Sequence, residues 1–103
     1  MGKVYLLNAW GTERYKIGIT KSDVEKRLKQ LQTGSSDELV IIKTFESDNY
    51  RKIEGWLHRK YKSKQVSGEW FELEDIDILD FKKHCQEINE TIDLLKKNNP
   101  FYD

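Results

Sequence analysis

Two kinds of apolar spacing alternate along the chain, and they predict strands and helices in turn. Lys3 to Asn8 and Arg14 to Ile19 are short runs rich in β-branched and aromatic residues, separated by a loop that contains Gly11, and they predict a β-hairpin. Residues 38–45 are strongly β-prone and predict a third strand. The apolar residues 70–73 predict a short fourth strand.

The remaining apolar segments have the spacing of amphipathic helices. Residues 22–25 match a capping box, and helical spacing continues from there to Gly34, where a glycine favours a C-terminal stop. A second helix begins after Asn49, and a third covers about residues 75–97 with Pro100 beyond its end. The predicted core positions of the three helices are Val24, Leu28, Leu31, Tyr50, Ile53, Leu57, Tyr61, Ile78, Leu79, Cys85, Ile88, Ile92 and Leu95.

The order of these elements is β-β-α-β-α-β-α, with no repeat, linker or low-complexity tract between them. This order predicts an α/β (α+β) fold in which a small, mostly antiparallel sheet is flanked by helices. The length of 103 residues is about two-thirds of an ordinary domain of roughly 150 residues. We therefore expect one domain over residues 1–103.

Composition excludes several classes of protein. Three Trp, five Tyr and four Phe supply enough apolar surface for one modest core, although 35% of the residues are charged. No apolar run approaches the roughly 18 residues that span a bilayer, and the N-terminus lacks a signal pattern. We expect an intracellular protein, cytoplasmic or nucleoid-associated, that does not contact a membrane. The single Cys85 excludes an internal disulfide, and with two histidines it cannot complete a Cys/His zinc site.

The net charge of zero hides an asymmetry between the two parts of the chain. Residues 1–64 carry 14 lysines and arginines against 8 acidic residues, whereas residues 65–103 carry 4 against 10. A basic part of this kind favours contact with phosphate groups, and the acidic C-terminal region is a candidate contact for a protein partner. Solvated charged helices would give the same composition, so composition alone leaves both interpretations open.

The hairpin carries the first candidate functional residues. A loop of residues 9–12 would pair Asn8 with Glu13 and place Tyr5 directly opposite Lys16. Alternation puts Tyr5, Lys16 and Gly18 on a polar, solvent-facing side of the hairpin. A phenol beside an ammonium, next to a glycine that permits close approach, can bind or activate a group near a phosphate. An ordinary exposed Tyr/Lys pair is the alternative.

The first two helices carry polar side chains on the flanks of their apolar stripes. Arg27 lies beside the stripe of the first helix, and its guanidinium suits a phosphate because it donates to two oxygens at once. Glu54 and His58 are one turn apart on the second helix. A carboxylate there can hold Mg²⁺ and an imidazole can carry a proton, although an ordinary surface pair is the alternative.

In their order along the chain, these residues resemble the motifs of the GIY-YIG nuclease superfamily. The runs YKIGIT (15–20), EGWLH (54–58) and GEWF (68–71), together with Tyr5 and Arg27, resemble its small phage and fungal branch, in which the second motif reads KIG. The resemblance covers about residues 3–73.

The resemblance implies a role for each matching position. Tyr5 would take or relay a proton from the attacking water, Arg27 would stabilise charge on the phosphate, and Glu54 would bind one Mg²⁺ or Mn²⁺ ion. His58 would assist proton transfer. Lys16 stands where the family has its second tyrosine, and as a cation it would contact the phosphate or lower the pKa of Tyr5.

Other positions depart from the family pattern. Lys3-Val4-Tyr5 replaces Gly-Ile-Tyr, the late asparagine of the family has no clear counterpart, and Glu69 lies in the GEWF motif without a role that the sequence provides. Because Lys16 replaces a tyrosine, more than one interpretation stays open.

The resulting expectation is a metal-dependent endonuclease that hydrolyses phosphodiester bonds of nucleic acid, with DNA favoured over RNA. Phosphate contacts that do not depend on sequence would come from Lys16, Lys21, Lys26, Lys29, Arg51, Arg59, Lys60 and Lys62. The alternatives are a catalytically inactive GIY-YIG-like module that binds DNA or a protein, and a structural or inhibitory phage-type protein.

Overall fold

The computed structural model describes residues 1–99, so Pro100 lies outside the described residues. The strands are β1 (Gly2–Ala9), β2 (Arg14–Thr20), β3 (Leu39–Ser47), β4 (Gln65–Ser67) and β5 (Trp70–Glu72). The helices are α1 (Val24–Thr33), α2 (Tyr50–Lys60), α3 (Asp75–Leu79) and α4 (Phe81–Asn98), and a short 3₁₀ turn covers Lys62–Lys64.

The five strands form one antiparallel sheet in the order β3-β1-β2-β5-β4. The predicted α+β class with a small antiparallel sheet is therefore confirmed. The sequence pattern does not predict β4, which is short and exposed. It forms because Gly68, with φ of 53°, makes the turn that brings residues 65–67 back along β5.

The main core lies between the sheet and the pair α2 and α4. Leu6 and Ile17 face each other across β1 and β2 and pack with Ile53 and Leu57 of α2 and with Phe81 of α4. All five side chains are fully buried. This is the face of the hairpin that the alternation predicts to be the core.

The opposite face of the hairpin is also covered, so the prediction that it faces solvent is wrong. Tyr5 and Leu7 pack there against Val24 and Leu28 of α1, and Tyr5 is only 1% exposed. Helix α1 begins with Asp23 as its N-cap, whose side chain accepts a hydrogen bond of 3.2 Å from the Glu25 amide. The helix buries its apolar side on β1 and β3, which leaves β2 and β5 less covered on this face.

The predicted third helix is in fact two helices, α3 and α4. Asp80, with φ of −92° and ψ of 3°, separates them, and the break turns Phe81 into the core. Two of the predicted core residues are exposed, Leu79 at 70% and Leu95 at 38%. One continuous helix could not bury both Leu79 and Phe81, because they point about 200° apart on a helical wheel.

Among the described residues, no helix has both the length and the apolar character needed to cross a membrane.

Candidate metal centre at the edge of the sheet

Three potential metal ligands meet where β2 stops pairing with β5. The ligand atoms of Glu54, His58 and Glu69 all lie within 4.8 Å of one another. Glu54 and His58 come from α2, whereas Glu69 directly precedes β5. The ladder between β2 and β5 ends at Lys16, so the following residues of β2 form an open edge beside this group.

At this edge the His58 side chain forms a hydrogen bond with β2 at a position where a neighbouring strand would otherwise pair. The Ile17 amide donates to the Glu69 carbonyl at 3.0 Å, so the Ile17 carbonyl points the same way, and His58 Nε2 lies 2.9 Å from its oxygen. Since a carbonyl oxygen only accepts, Nε2 carries a hydrogen and donates it. The ring also contacts Phe71 edge-on, with 5.0 Å between centroids. These contacts fix the imidazole beside Glu54, with 4.0 Å between Nε2 and Oε2.

Glu54 is the most perturbed carboxyl group in the described part of the chain. Its side chain is 16% exposed, and its Oε2 atom is buried without a hydrogen-bond partner among the described residues. Burial, the charge of Glu69 and a hydrogen bond shared with that carboxylate raise its pKa to about 7, against the lowering effect of Lys16. At neutral pH this group therefore exchanges easily between a bound proton and a free carboxylate.

Lys16 supplies the positive charge of the group. Its ammonium lies 2.9 Å from Glu69 Oε1 and 5.9 Å from the centre of the Trp70 ring. Its side chain is only 13% exposed. Glu69 therefore contacts two members of the group, Lys16 through an ion pair and Glu54 through a hydrogen bond. The sequence provides no role for Glu69, and the only signal was its place in the GEWF motif.

The predicted register of the hairpin is wrong by two residues. Asn8 pairs with Tyr15 rather than Glu13, and Tyr5 lies opposite Gly18 rather than Lys16. The faces are nevertheless as predicted, because a shift of two residues preserves the alternation of side chains. The wider loop is held by the Asn8 amide, which donates to the carbonyls of Thr12 and Arg14 at 3.1 and 2.9 Å.

Tyr5 covers Gly18 at the same edge. A side-chain carbon built on Gly18 would overlap the phenol ring, with Cε1 only 2.8 Å away. Gly18 directly follows Ile17, whose carbonyl anchors His58, so the Tyr5 hydroxyl lies close to the open edge of β2 although the residue is buried. Lys16 is therefore a diagonal neighbour of Tyr5 and pairs directly with Leu7.

Arg27 lies on α1, across the sheet from α2. It is partly buried, and its guanidinium donates to Gln30 Oε1 at 3.2 Å. No hydrogen bond or ion pair within residues 1–99 joins it to Glu54 or Glu69. The structure thus brings together Lys16, Glu54, His58 and the unpredicted Glu69, while Arg27 is not part of this contact group.

The lysines and arginines expected to contact phosphate lie on both sides of the sheet. Arg51 packs on the Tyr50 ring, with 5.4 Å to its centre. Apart from Lys16, whose side chain is mostly buried, all of these side chains are exposed, namely Lys21, Lys26, Lys29, Arg51, Arg59, Lys60 and Lys62. The α1 lysines lie on one face of the sheet, and the basic residues of α2 lie on the other.

The side chains of this group are of types that can bind a divalent cation. Two carboxylates provide oxygen ligands of the kind that Mg²⁺ and Mn²⁺ prefer, and Glu54 Oε2 accepts no hydrogen bond from the described residues. His58 Nε2 already donates to the Ile17 carbonyl, so in this arrangement that nitrogen is not free to bind a metal, and the two carboxylates remain as potential ligands.

Comparison with known proteins identifies the family of the chain. The family model described as the T5orf172 domain matches residues 2–95, which is most of the chain. This is a phage-associated domain of a nuclease-related superfamily. No curated protein and no solved structure matches the chain. The match spans every strand and nearly all of the helical residues described above, and the chain therefore belongs to the T5orf172 domain family.

Proposed function

We propose that this chain is a metal-dependent endonuclease domain of the GIY-YIG type, which hydrolyses phosphodiester bonds in DNA. The observation that carries the proposal is the buried, unpartnered Oε2 of Glu54 beside Glu69 and His58 at an open sheet edge. A structural carboxylate would be expected to have a donor of its own, because an unsatisfied buried polar atom costs about 1–3 kcal/mol. Perturbed groups of this kind concentrate at functional sites.

Glu54 and Glu69 would hold the cation. Bound there, a Mg²⁺ or Mn²⁺ ion would neutralise charge on the phosphate and assist departure of the 3′-oxygen. Because the pKa of Glu54 is about 7, loss of its proton makes the site available near neutral pH. Each carboxylate is oriented by the fold, Glu54 by its position on α2 and Glu69 by its backbone bond to Ile17.

Lys16 and His58 would act on these carboxylates from either side. Lys16 holds Glu69 by an ion pair and lowers the pKa of Glu54. His58 is fixed on the Ile17 carbonyl, which keeps its Nε2–H directed at the edge of the sheet. Both are therefore positioning residues in this proposal, and the expected proton-transfer role of His58 would use its other ring nitrogen.

The Tyr5 hydroxyl and Arg27 would act on the substrate. Because Gly18 has no side chain, the Tyr5 phenol lies against this stretch of β2, and a phosphate at the open edge would lie near its oxygen. In its deprotonated form this oxygen would accept the proton of the attacking water. Arg27 would reach the phosphate from α1 and stabilise charge on its oxygens. A rotation of its side chain away from Gln30 is needed for this contact.

A non-catalytic binding module is the second candidate function. It is favoured by the near-complete burial of Tyr5 and by the ion pair that already occupies Lys16, the residue at the position of the family's second tyrosine. Such a module would bind nucleic acid through its exposed lysines and arginines and would leave phosphodiester bonds intact.

Cleavage of supercoiled plasmid, branched duplex and single-stranded DNA separates the two candidates. With Mg²⁺ or Mn²⁺ the wild-type protein should cut at least one substrate, and EDTA should abolish the reaction. Glu54→Gln and Glu69→Gln should each remove activity, whereas Glu46→Gln, at an exposed carboxylate of β3, should not. A purified protein that binds DNA and cuts none of these substrates would refute the nuclease and leave the binding module.

A further inference from the structure

A cavity of about 260 Å³ lies on the α1 face of the sheet, on the side of Lys16 away from the open edge. Three separate loops and strands form it: the end of β1 with the start of β2, the loop after α1, and the β4–β5 hairpin. Most of its lining side chains are exposed or half-exposed, so the cavity is accessible from solvent. Its lining residues are Ala9, Arg14, Ser35, Asp37, Val66, Ser67 and Trp70.

Trp70 is the largest side chain in this cavity. It pairs with Lys16 on one side and with Ser67 on the other, so its backbone is fixed in the sheet. Since directly paired residues share a face, the indole lies on the same side of the sheet as Lys16. A half-exposed tryptophan held by a rigid strand beside a lysine is a suitable surface for stacking a planar ring.

The charges around Trp70 cancel in pairs. Arg14 lies 3.5 Å from Asp37, and Lys16 lies 2.9 Å from Glu69. A cavity with this balance has little net attraction for a phosphate on its own. It instead combines an aromatic ring with hydroxyl, guanidinium and carboxylate groups, which can hydrogen-bond the polar edge of an uncharged ring. A nucleobase has this combination of a stacking face and polar edge.

We propose that the Trp70 cavity binds an unpaired nucleobase of the nucleic-acid substrate. The inference rests on the proposed function and specifies its substrate as DNA with an unstacked base, such as a bulge, a flap or a single strand. Lys16 connects the two sites, because the same ammonium contacts the Trp70 ring and the Glu69 carboxylate. A base stacked on Trp70 would place the adjoining backbone beside the Glu54 and Glu69 carboxylates.

Binding without cleavage tests this inference. Fluorescence anisotropy would compare a labelled duplex with one unpaired base against the fully paired duplex, using Glu54→Gln protein in EDTA. The Glu54→Gln protein should bind the bulged duplex about tenfold more tightly than the paired one, as expected for one stacked base. Trp70→Ala should abolish this preference and Trp70→Phe should retain most of it.

Trp10→Ala is the matched control. Trp10 is 65% exposed and does not line the cavity, so its removal should leave the preference for the unpaired base unchanged. Equal binding of both duplexes, or a preference that survives in Trp70→Ala, would overturn the inference. Because the assay needs neither metal nor cleavage, a Trp70-dependent preference in a protein that never cuts DNA would refute the proposed nuclease while leaving this inference intact.

Discussion

The Lys16 ammonium lies 2.9 Å from Glu69 Oε1, so the chain places a positive charge of its own beside the carboxylates that we propose as metal ligands. The ion pair has two effects. In the absence of metal, the Lys16 charge offsets the repulsion between the Glu54 and Glu69 carboxylates. It also competes with a metal ion for Glu69.

Lys16→Met should therefore strengthen metal binding. Loss of Lys16 raises the pKa of Glu54 above its wild-type value of about 7, so the comparison is made well above that pH, where Glu54 is ionised in both proteins. There the variant should be less stable than wild type without metal and should show a larger rise in Tm with Mn²⁺. Thermal unfolding with and without MnCl₂ measures both effects. The control is Lys21→Met, at an exposed lysine after β2. A metal-induced shift no larger than that of wild type would show that Lys16 does not compete with the ion.

Glu54 should make the free energy of unfolding depend on pH. Its pKa rises from 4.5 to about 7 on folding, so between these values the folded state binds more protons than the unfolded state. The stabilisation is present in full below pH 4.5 and is lost as the pH rises through 7, with a magnitude on the order of 2 kcal/mol. Glu54→Gln should remove this part of the pH dependence.

Urea denaturation at pH values below 4.5 and above 7 checks this sign. Relative to wild type, Glu54→Gln should be more stable at the higher pH, because the amide has no charge to bury. Glu46→Gln provides the comparison for an exposed carboxylate. If both variants followed the pH dependence of wild type, Glu54 would have an ordinary pKa in the folded protein.

His58 should stabilise the edge of the sheet independently of any reaction. His58→Ala leaves the Ile17 carbonyl without its donor and removes the ring contact with Phe71, which should cost about 1–3 kcal/mol. His58→Gln retains an N–H donor and should recover part of that loss in urea denaturation. A cleavage rate that remained low in a glutamine variant of wild-type stability would show that the imidazole has a further role beyond holding the edge.

Much of the fold can be predicted from local sequence, whereas the set of residues that meet at the candidate metal centre cannot. The alternation in the hairpin predicts which side chains share a face, and that result survives a register error of two residues. The register itself depends on the side-chain amide of Asn8, which holds a wider loop that local propensity does not reveal. Similarly, the helical spacing of Glu54 and His58 is visible in the sequence.

Glu69 could not be placed beside them for a different reason. Its position depends on the turn at Gly68 and on the pairing of β5 with β2, which connects residues about fifty positions apart. Long-range pairing of this kind has no periodic signal. The coverage of Tyr5 by α1 was missed for the same reason, because a polar-looking strand face does not show which helix packs on it.

Gly18→Ala should test the contact between Tyr5 and the open edge. The added carbon would overlap the phenol ring, so Tyr5 or β2 must move, at a cost of about 1–3 kcal/mol in the free energy of unfolding. Gly55→Ala is the matched control on α2, where the nearest atom, Arg59 Nη1, is 3.5 Å away and the substitution should stabilise the helix. Equal effects of the two substitutions in urea denaturation would contradict the packing of Tyr5 on Gly18.

Nucleic-acid affinity should depend on basic residues from both faces of the sheet. Lys26 and Lys29 lie on α1 and Arg59 and Lys60 on α2, on opposite faces of the sheet whose open edge is formed by β2. A nucleic acid that crosses this edge would contact both sets and release counterions from each. Replacing either pair with glutamine should lower the slope of log Kd against log salt concentration by about 2.

The control for this measurement is the glutamine replacement of Lys82 and Lys83, exposed on α4 in the acidic part of the chain. That replacement should leave the slope unchanged, since α4 packs against β3 at the opposite side of the sheet from β5 and from the open edge of β2. If only the α1 pair or only the α2 pair changes the slope, the nucleic acid lies on one face and does not cross the edge. The phosphate would then not pass beside both Tyr5 and Glu54, and the division of catalytic roles between the two faces would be wrong.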